Sequence, residues 1–126
     1  MKSICTLIAL TLTSGWTSHY APGVMEQVIE NRLEWGHIQS TNYSGFTAVP
    51  ECSRIGDVIL ARADSEWEIL LITDCARENN EDGAYEWMVS NQILLEVDWE
   101  TAVRWGAVGG GTKIQTSDNF TLSCIE

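Results

Sequence analysis

Ile69-Leu70-Leu71-Ile72, which runs into Thr73-Asp74-Cys75, and Ile93-Leu94-Leu95-Glu96-Val97 are the two stretches that decide the fold. Each is a short apolar run of the length of a strand, and such runs are typical of strands buried in a sheet. Each run carries one acid near its end, Asp74 in the first and Glu96 in the second. The sequence therefore predicts two buried strands that bring Asp74 and Glu96 to strand ends, where they are the candidate site residues.

Helices are predicted next to these strands. Asp98 directly precedes a short amphipathic segment, Trp99 to Trp105, and its carboxylate is expected to accept the first backbone N–H groups of that helix. Another helix is predicted from Val24 to Leu33, where apolar residues recur at helical spacing and Arg32 falls on the polar side. Tyr85 to Asn91 is expected to form a further helical turn.

The remaining patterns predict several short strands separated by turns and polar loops. The predicted strands are Gly15 to Tyr20, Phe46 to Val49, Val58 to Ala63, Trp67 to Thr73, and Thr112 to Thr116. Ala76 to Ala84 is polar and predicted to be an exposed loop beside Asp74. Many short strands with two or three short helices predict a mainly β fold, a small barrel with helical insertions.

Composition limits the classes of partner. The chain has 126 residues, enough for one domain, and 18 acidic against 7 basic residues give a formal net charge of -11. Nucleic acid is disfavoured, because binding to phosphates depends on Lys and Arg, and an anionic membrane surface is disfavoured for the same reason. A neutral polysaccharide or a peptide meets no such repulsion. The protein is expected to act as a monomer.

The first fifteen residues, 1–15, resemble a secretory signal peptide. One Lys precedes an apolar run from Ile4 to Leu12, and small and polar residues follow. The alternative is that this run is the first strand of the domain. No stretch reaches the roughly eighteen apolar residues that a membrane span needs, so no stable membrane insertion is expected. A secreted protein, extracellular or in the cell envelope, is the expectation, with residues 117–126 as a C-terminal tail.

Four cysteines bear on the compartment: Cys5, Cys52, Cys75 and Cys124. Because Cys52 and Cys75 flank a hairpin-like pair of strands, a disulfide between them is predicted for an oxidising compartment. The pairing of Cys124 stays open, and free thiols in a cytosolic protein are the alternative. Zinc is disfavoured, since the chain has no C-x-x-C pair and its two histidines lack ligand spacing. No metal or other cofactor is predicted.

The order of four motifs resembles the double-psi β-barrel domains of the rare lipoprotein A (RlpA) type, which are related to expansins. The likeness covers about Gly15 to Thr116, so residues 16–116 are assigned to such a domain. Its motifs are Gly15-Trp16-Thr17-Ser18-His19-Tyr20, similar to G-x-A-S-x-Y; Ile55 to Leu60, similar to G-T-x-V-x-V; Ile72 to Ala76, similar to V-x-D-R-G-P; and Leu95 to Asp98 with Ala102 and Trp105-Gly106, similar to I-D-L-S with A-x-x-L-G.

The resemblance implies a six-stranded barrel with a groove lined by two acids and in some members a His. The first acid falls on Asp74 and the second on Glu96. The His position falls on Pro50, and the Arg and Pro that follow the first acid are replaced by Cys75 and Arg77. These departures place the conformation beside Asp74 in question.

Two functions follow from the resemblance. The first is a wall-polysaccharide-binding barrel without full catalytic machinery, and the altered motifs favour it. The second is a lytic transglycosylase in which Asp74 and Glu96 act as acid and base, since the attack by the substrate's own hydroxyl needs one carboxyl group. Hydrolysis by two carboxylates is disfavoured, because the opening strand offers no carboxylate. The candidate substrate-binding residues are Tyr20, Trp16, His19 and Trp87. Whether the protein is an enzyme is left open.

Overall fold

Eight strands and three α-helices make up the part of the chain that the computed structural model describes, residues 3–64, 66–77 and 82–125. The strands and helices, with one 3₁₀ turn at Cys52–Arg54, are β1 (Ile4–Ala9), β2 (Thr13–His19), α1 (Val24–Glu34), β3 (Gly45–Val49), β4 (Val58–Arg62), β5 (Glu68–Cys75), α2 (Ala84–Ser90), β6 (Ile93–Val97), α3 (Trp99–Arg104), β7 (Thr112–Ser117) and β8 (Phe120–Ile125).

Six of these strands close into a barrel in the order β2-β6-β3-β5-β4-β7. The pairs β2 with β6 and β3 with β5 are parallel, and the other neighbours are antiparallel. A closed barrel has no free sheet edge, so every barrel strand is paired on both sides. The prediction of a mainly β, six-stranded barrel with short helices is confirmed.

The inside of the barrel is filled by aliphatic side chains from every wall. On β6 the pattern alternates, with Leu95 and Val97 fully buried and Glu96 only half-buried, so Glu96 points outward. On β5 the run from Leu70 to Thr73 is buried on both faces, because helix α1 covers its outer side. The core residues are Val49, Ile59, Ala61, Leu70, Ile72, Leu95, Val97, Ala102, Ala107 and Ile114.

The two ends of the chain form a separate antiparallel ribbon. Strand β1 pairs with β8 outside the barrel, and a disulfide joins Cys5 to Cys124 across it. The apolar run therefore contains β1, and β8 lies within residues 117–126, where a tail was predicted. Export through a cleaved signal peptide stays a prediction; cleavage near residue 15 would remove β1 and the partner of Cys124. Within the described ranges, none of the helices has the length and hydropathy to span a membrane.

The Asp98 side chain links β3 to α3 through hydrogen bonds. It occupies the N-cap position, but its Oδ1 accepts the Phe46 N–H at 3.0 Å and the Thr101 hydroxyl at 2.6 Å rather than the backbone of α3. The predicted cap is therefore wrong in its partner. Because the side chain is buried against β3, the nearest donors come from that strand and from the first turn of α3.

Gly45, at the start of β3, leaves the space that this junction needs. A Cβ at this position would collide with the Thr101 hydroxyl and lie 3.1 Å from Asp98 Oδ1. We expect Gly45→Ala to lower the free energy of unfolding by about 2 kcal/mol, because an added methyl in a packed site forces side chains to shift. Urea denaturation measures this, with the exposed neighbour Ser44→Ala as control. Equal stability of Gly45→Ala and the wild type would contradict the packing at this junction.

Candidate functional site

Four side chains lie side by side across four barrel strands: Ser18, Glu96, Ala48 and Asp74, called the acid row here. Ser18 pairs with Glu96, and Ala48 pairs with Glu96 on one side and Asp74 on the other. Residues opposite each other on neighbouring strands point to the same face of a sheet. The two acids are thus separated by one small residue, with their Cα atoms roughly 10 Å apart. The structure brings Asp74 and Glu96 together on one outer surface.

Asp74 is held by hydrogen bonds on both carboxylate oxygens. The Tyr20 hydroxyl donates to Oδ2 at 2.6 Å. The Arg32 guanidinium lies 3.1 Å from Oδ1, which also accepts the Cys75 N–H at 2.9 Å. Ion pairs and backbone donors fix the orientation of a carboxylate, so Asp74 is an anchored anion rather than a mobile side chain.

Arg32 is the functional residue that sequence reasoning placed wrongly. It was assigned to the polar side of α1, whereas its side chain is only 4% exposed. Its Nε donates to the Thr73 carbonyl at 2.9 Å, and its Nη1 contacts His37 Nδ1 at 3.0 Å. The usable signal was its spacing: Arg32 follows the buried Met25 by seven residues, which puts both on the helix face that packs on β5.

Burial and a neighbouring acid both act on the carboxyl group of Glu96. Its pKa is raised, first because burial disfavours the charged form and further because Asp74 is a nearby negative charge. The Ser18 hydroxyl donates to Oε1 at 3.1 Å. This hydrogen bond and the nearby His19 lower the pKa of Glu96 and so offset part of the increase. Two carboxyl groups with different environments are the usual basis of acid and base roles.

Tyr20 connects the acids to a small pocket between the barrel wall and α2. Burial raises the pKa of its hydroxyl, and the charge of Asp74 and the hydrogen bond to it add to the effect, so the phenol stays protonated as a donor. The pocket has a volume of about 140 Å³, and it is lined by Tyr20, whose hydroxyl donates to Asp74. Its lining consists of Tyr20, Ala48, Cys75, Ala76, Asp82, Ala84, Met88 and Glu96.

The other predicted substrate-binding residues lie around this site. Trp16 alternates with the buried Gly15 and Thr17, so its ring faces outward on β2, 39% exposed. Trp87 is 49% exposed on α2, next to the pocket residue Met88.

His19 connects β2 to the loop after α3. Its Nδ1 lies 3.0 Å from the Tyr20 carbonyl, its Nε2 accepts the Gly109 N–H at 2.9 Å, and its ring packs edge-on against Trp99. Both ring nitrogens therefore already have backbone partners, and the placement favours a structural role for His19.

The predicted disulfide between Cys52 and Cys75 is confirmed, with Cα atoms 4.9 Å apart. Cys75 follows Asp74 directly, so the bridge anchors the chain beside the first acid. Arg77, which stands where the RlpA-type motif has Pro, stacks on the Tyr85 ring at 3.8 Å and pairs with Glu51. Part of the predicted loop after it, residues 78–81, lies outside the described residues.

Over the described ranges, no three His, Cys, Asp or Glu side chains are grouped so that they would hold a metal ion.

No protein family model, no curated protein and no solved structure matches this chain. The likeness to RlpA-type barrels therefore stays a prediction from the four motifs.

Proposed function

We propose that this protein is a secreted barrel that binds a cell-wall polysaccharide across the acid row. One observation carries the proposal: the polar side chains of the acid row line up on the outer face of the barrel. The exposed indole of Trp16 lies on β2, the strand that also carries Ser18. A sugar ring presents hydroxyl groups at its edge and C–H groups on its faces. A surface that combines carboxylates, hydroxyls and an exposed indole suits both.

The net charge of the protein supports a neutral ligand, and its disulfides support a location outside the cell. The net charge of -11 disfavours anionic polymers, and the basic residue at the site, Arg32, is buried against Asp74. Two disulfides, Cys52–Cys75 and Cys5–Cys124, are typical of an oxidising compartment and so support secretion. A neutral glycan outside the cell is the ligand that fits these features best.

A second candidate function, that of a lytic transglycosylase, is favoured by the raised pKa of Glu96. A protonated Glu96 would donate its proton to the glycosidic oxygen as the C–O bond to the leaving sugar breaks. A hydroxyl of the sugar that carries the anomeric carbon would then form the new C–O bond at that carbon and return its proton to Glu96, while the other sugar departs with the proton that Glu96 donated. The anchored Asp74 carboxylate would stabilise the positive charge that develops on the ring. The products are a free chain end and an anhydro-sugar.

The test combines pull-down on insoluble peptidoglycan with mass spectrometry for anhydro-sugars. We expect the wild type to be retained by the glycan. If it cleaves, Glu96→Gln should lower the rate by about 100-fold or more while retention persists, because the amide cannot donate the proton but still accepts the Ser18 hydroxyl. The wild-type rate should fall only as the pH rises above the range of an ordinary Glu, since the pKa of Glu96 is raised.

Glu100→Gln is the matched control, because Glu100 is an exposed acid in the first turn of α3. Cleavage that continues unchanged in Glu96→Gln would exclude Glu96 as the acid. Retention without any anhydro-sugar would support the binding function alone. A wild-type protein that neither binds nor cleaves the glycan would overturn both candidates.

A further inference from the structure

We infer that Trp35 and His37, at the C-terminal end of α1, form a second sugar-binding subsite that extends the acid row beyond Asp74. The ligand class is a pyranose ring of the same neutral polysaccharide, stacked on the indole of Trp35. This inference rests on the proposed function, and neither residue was a predicted substrate-binding residue.

The backbone at the end of α1 fixes where the two rings stand. Gly36 has a φ of 75°, its N–H donates to the Leu33 carbonyl, and the His37 N–H donates to the Arg32 carbonyl. This pair of bonds is the Schellman motif, in which a left-handed glycine ends the helix and satisfies its last carbonyls. The next residue, Ile38, is buried. Trp35 and His37 are therefore carried by a well-defined turn that is anchored on both sides.

The indole of Trp35 is exposed and yet oriented by its neighbours. It is the most exposed of the six tryptophans, at 58%. The His37 ring packs against it edge-on with centroids 5.7 Å apart, and the Arg32 guanidinium lies 5.8 Å from the ring centroid. Contacts at its edge and from a cation hold the ring while leaving apolar area open to solvent. An exposed, oriented indole is the surface on which a sugar face stacks.

Arg32 connects this indole to the acid row. The same guanidinium that lies beside Trp35 is 3.1 Å from Asp74 Oδ1. Together the two contacts limit the distance from the Trp35 ring centroid to the Asp74 carboxylate to about 10 Å. A short oligosaccharide spans that distance, so one chain could contact the acid row with one ring and Trp35 with another.

His37 adds a hydrogen-bond donor to the stacking surface. Because Arg32 only donates, His37 Nδ1 must accept at 3.0 Å, and the neutral imidazole then carries its proton on Nε2. The side chain is exposed, so this N–H is available to a sugar hydroxyl. An indole face next to a polar donor is the combination that distinguishes a sugar ring from a purely apolar ligand.

The test is calorimetric titration of the full chain with N-acetylglucosamine oligomers, a disaccharide and a hexasaccharide. Trp35→Ala should weaken hexasaccharide binding by about tenfold, the factor that corresponds to the loss of one aromatic stacking contact. It should weaken disaccharide binding less, because a disaccharide is short enough to bind on the acid row without Trp35. Trp35→Tyr should restore most of the affinity, since it keeps a ring.

Leu33→Ala is the matched control, because Leu33 is an exposed apolar residue of the same helix without a ring. Thermal unfolding of each variant separates loss of binding from loss of fold. If the wild type binds the hexasaccharide and Trp35→Ala binds it equally well, the subsite is wrong and the proposed function stands. If the wild type binds none of the three ligands, the disaccharide, the hexasaccharide or insoluble peptidoglycan, the proposed function fails, and this subsite fails with it.

Discussion

Replacement of Arg32 by Met is expected to lower the free energy of unfolding by about 3 kcal/mol. The guanidinium is buried, so its removal deprives Asp74 of its charged partner and the Thr73 carbonyl of a donor. Removing one member of a buried pair costs roughly 3–5 kcal/mol, and the value belongs at the lower end because the Asp74 side chain is 21% exposed and water can solvate it. Met retains much of the volume, which limits the contribution of an empty cavity.

Guanidinium chloride unfolding at neutral pH measures this effect. The control is Arg54→Met, which removes an ion pair with Asp118 at the surface and should cost less than about 1 kcal/mol. A double-mutant cycle with Asp74→Asn then isolates the coupling between the two charges. Equal costs for Arg32→Met and Arg54→Met would show that the buried pair does not hold α1 against β5.

Removal of the Cys52–Cys75 disulfide is the second large expected effect. Replacing both residues by Ala should lower the free energy of unfolding by about 3 kcal/mol, because a bridge between residues 23 apart restricts the unfolded chain. It should also weaken glycan binding, since the Cys75 N–H donates to Asp74 and Cys75 lines the pocket beside Glu96.

Two measurements check this prediction, denaturant unfolding for stability and titration with the hexasaccharide for binding. The matched control is the Cys5→Ala and Cys124→Ala pair, which removes the other disulfide. That bridge lies in the β1–β8 ribbon. The ribbon joins the N-terminal end of β2, whereas Ser18 lies near the C-terminal end, so loss of the bridge should leave glycan binding unchanged. Weaker binding in both pairs of variants would mean that the Cys52–Cys75 bridge has no specific effect on the acid row.

Several elements could be predicted because their signals are local. The strand Ile93–Val97 has the bounds expected from its apolar run, and α1 follows from the spacing of its apolar residues. The Cys52–Cys75 pairing was predicted because the strands between the two cysteines fold back on each other. The Cys5–Cys124 pairing was left open, since the signal-peptide interpretation removed Cys5 from the mature chain.

Two side chains were misjudged because their partners are distant in the chain. Asp98 was expected to accept backbone N–H groups of the helix that follows it, yet it accepts the Thr101 hydroxyl of that helix and the N–H of Phe46, 52 residues away. Arg32 was expected on the polar side of α1, yet it binds Asp74, 42 residues away. A charged residue on a helix is normally solvated, and only a buried carboxylate on another element makes its burial favourable.

The sequence alone predicted the six barrel strands, the helices and one disulfide, and it singled out the two candidate acids, because apolar periodicity and chain reversal act over short distances. The tertiary structure alone decided that Ser18, Glu96, Ala48 and Asp74 form one row, that Arg32 anchors Asp74, and that Trp35 lies near both. The physical reason is that strand register and burial depend on hydrogen bonds and packing between segments far apart in the chain. No local pattern contains that information.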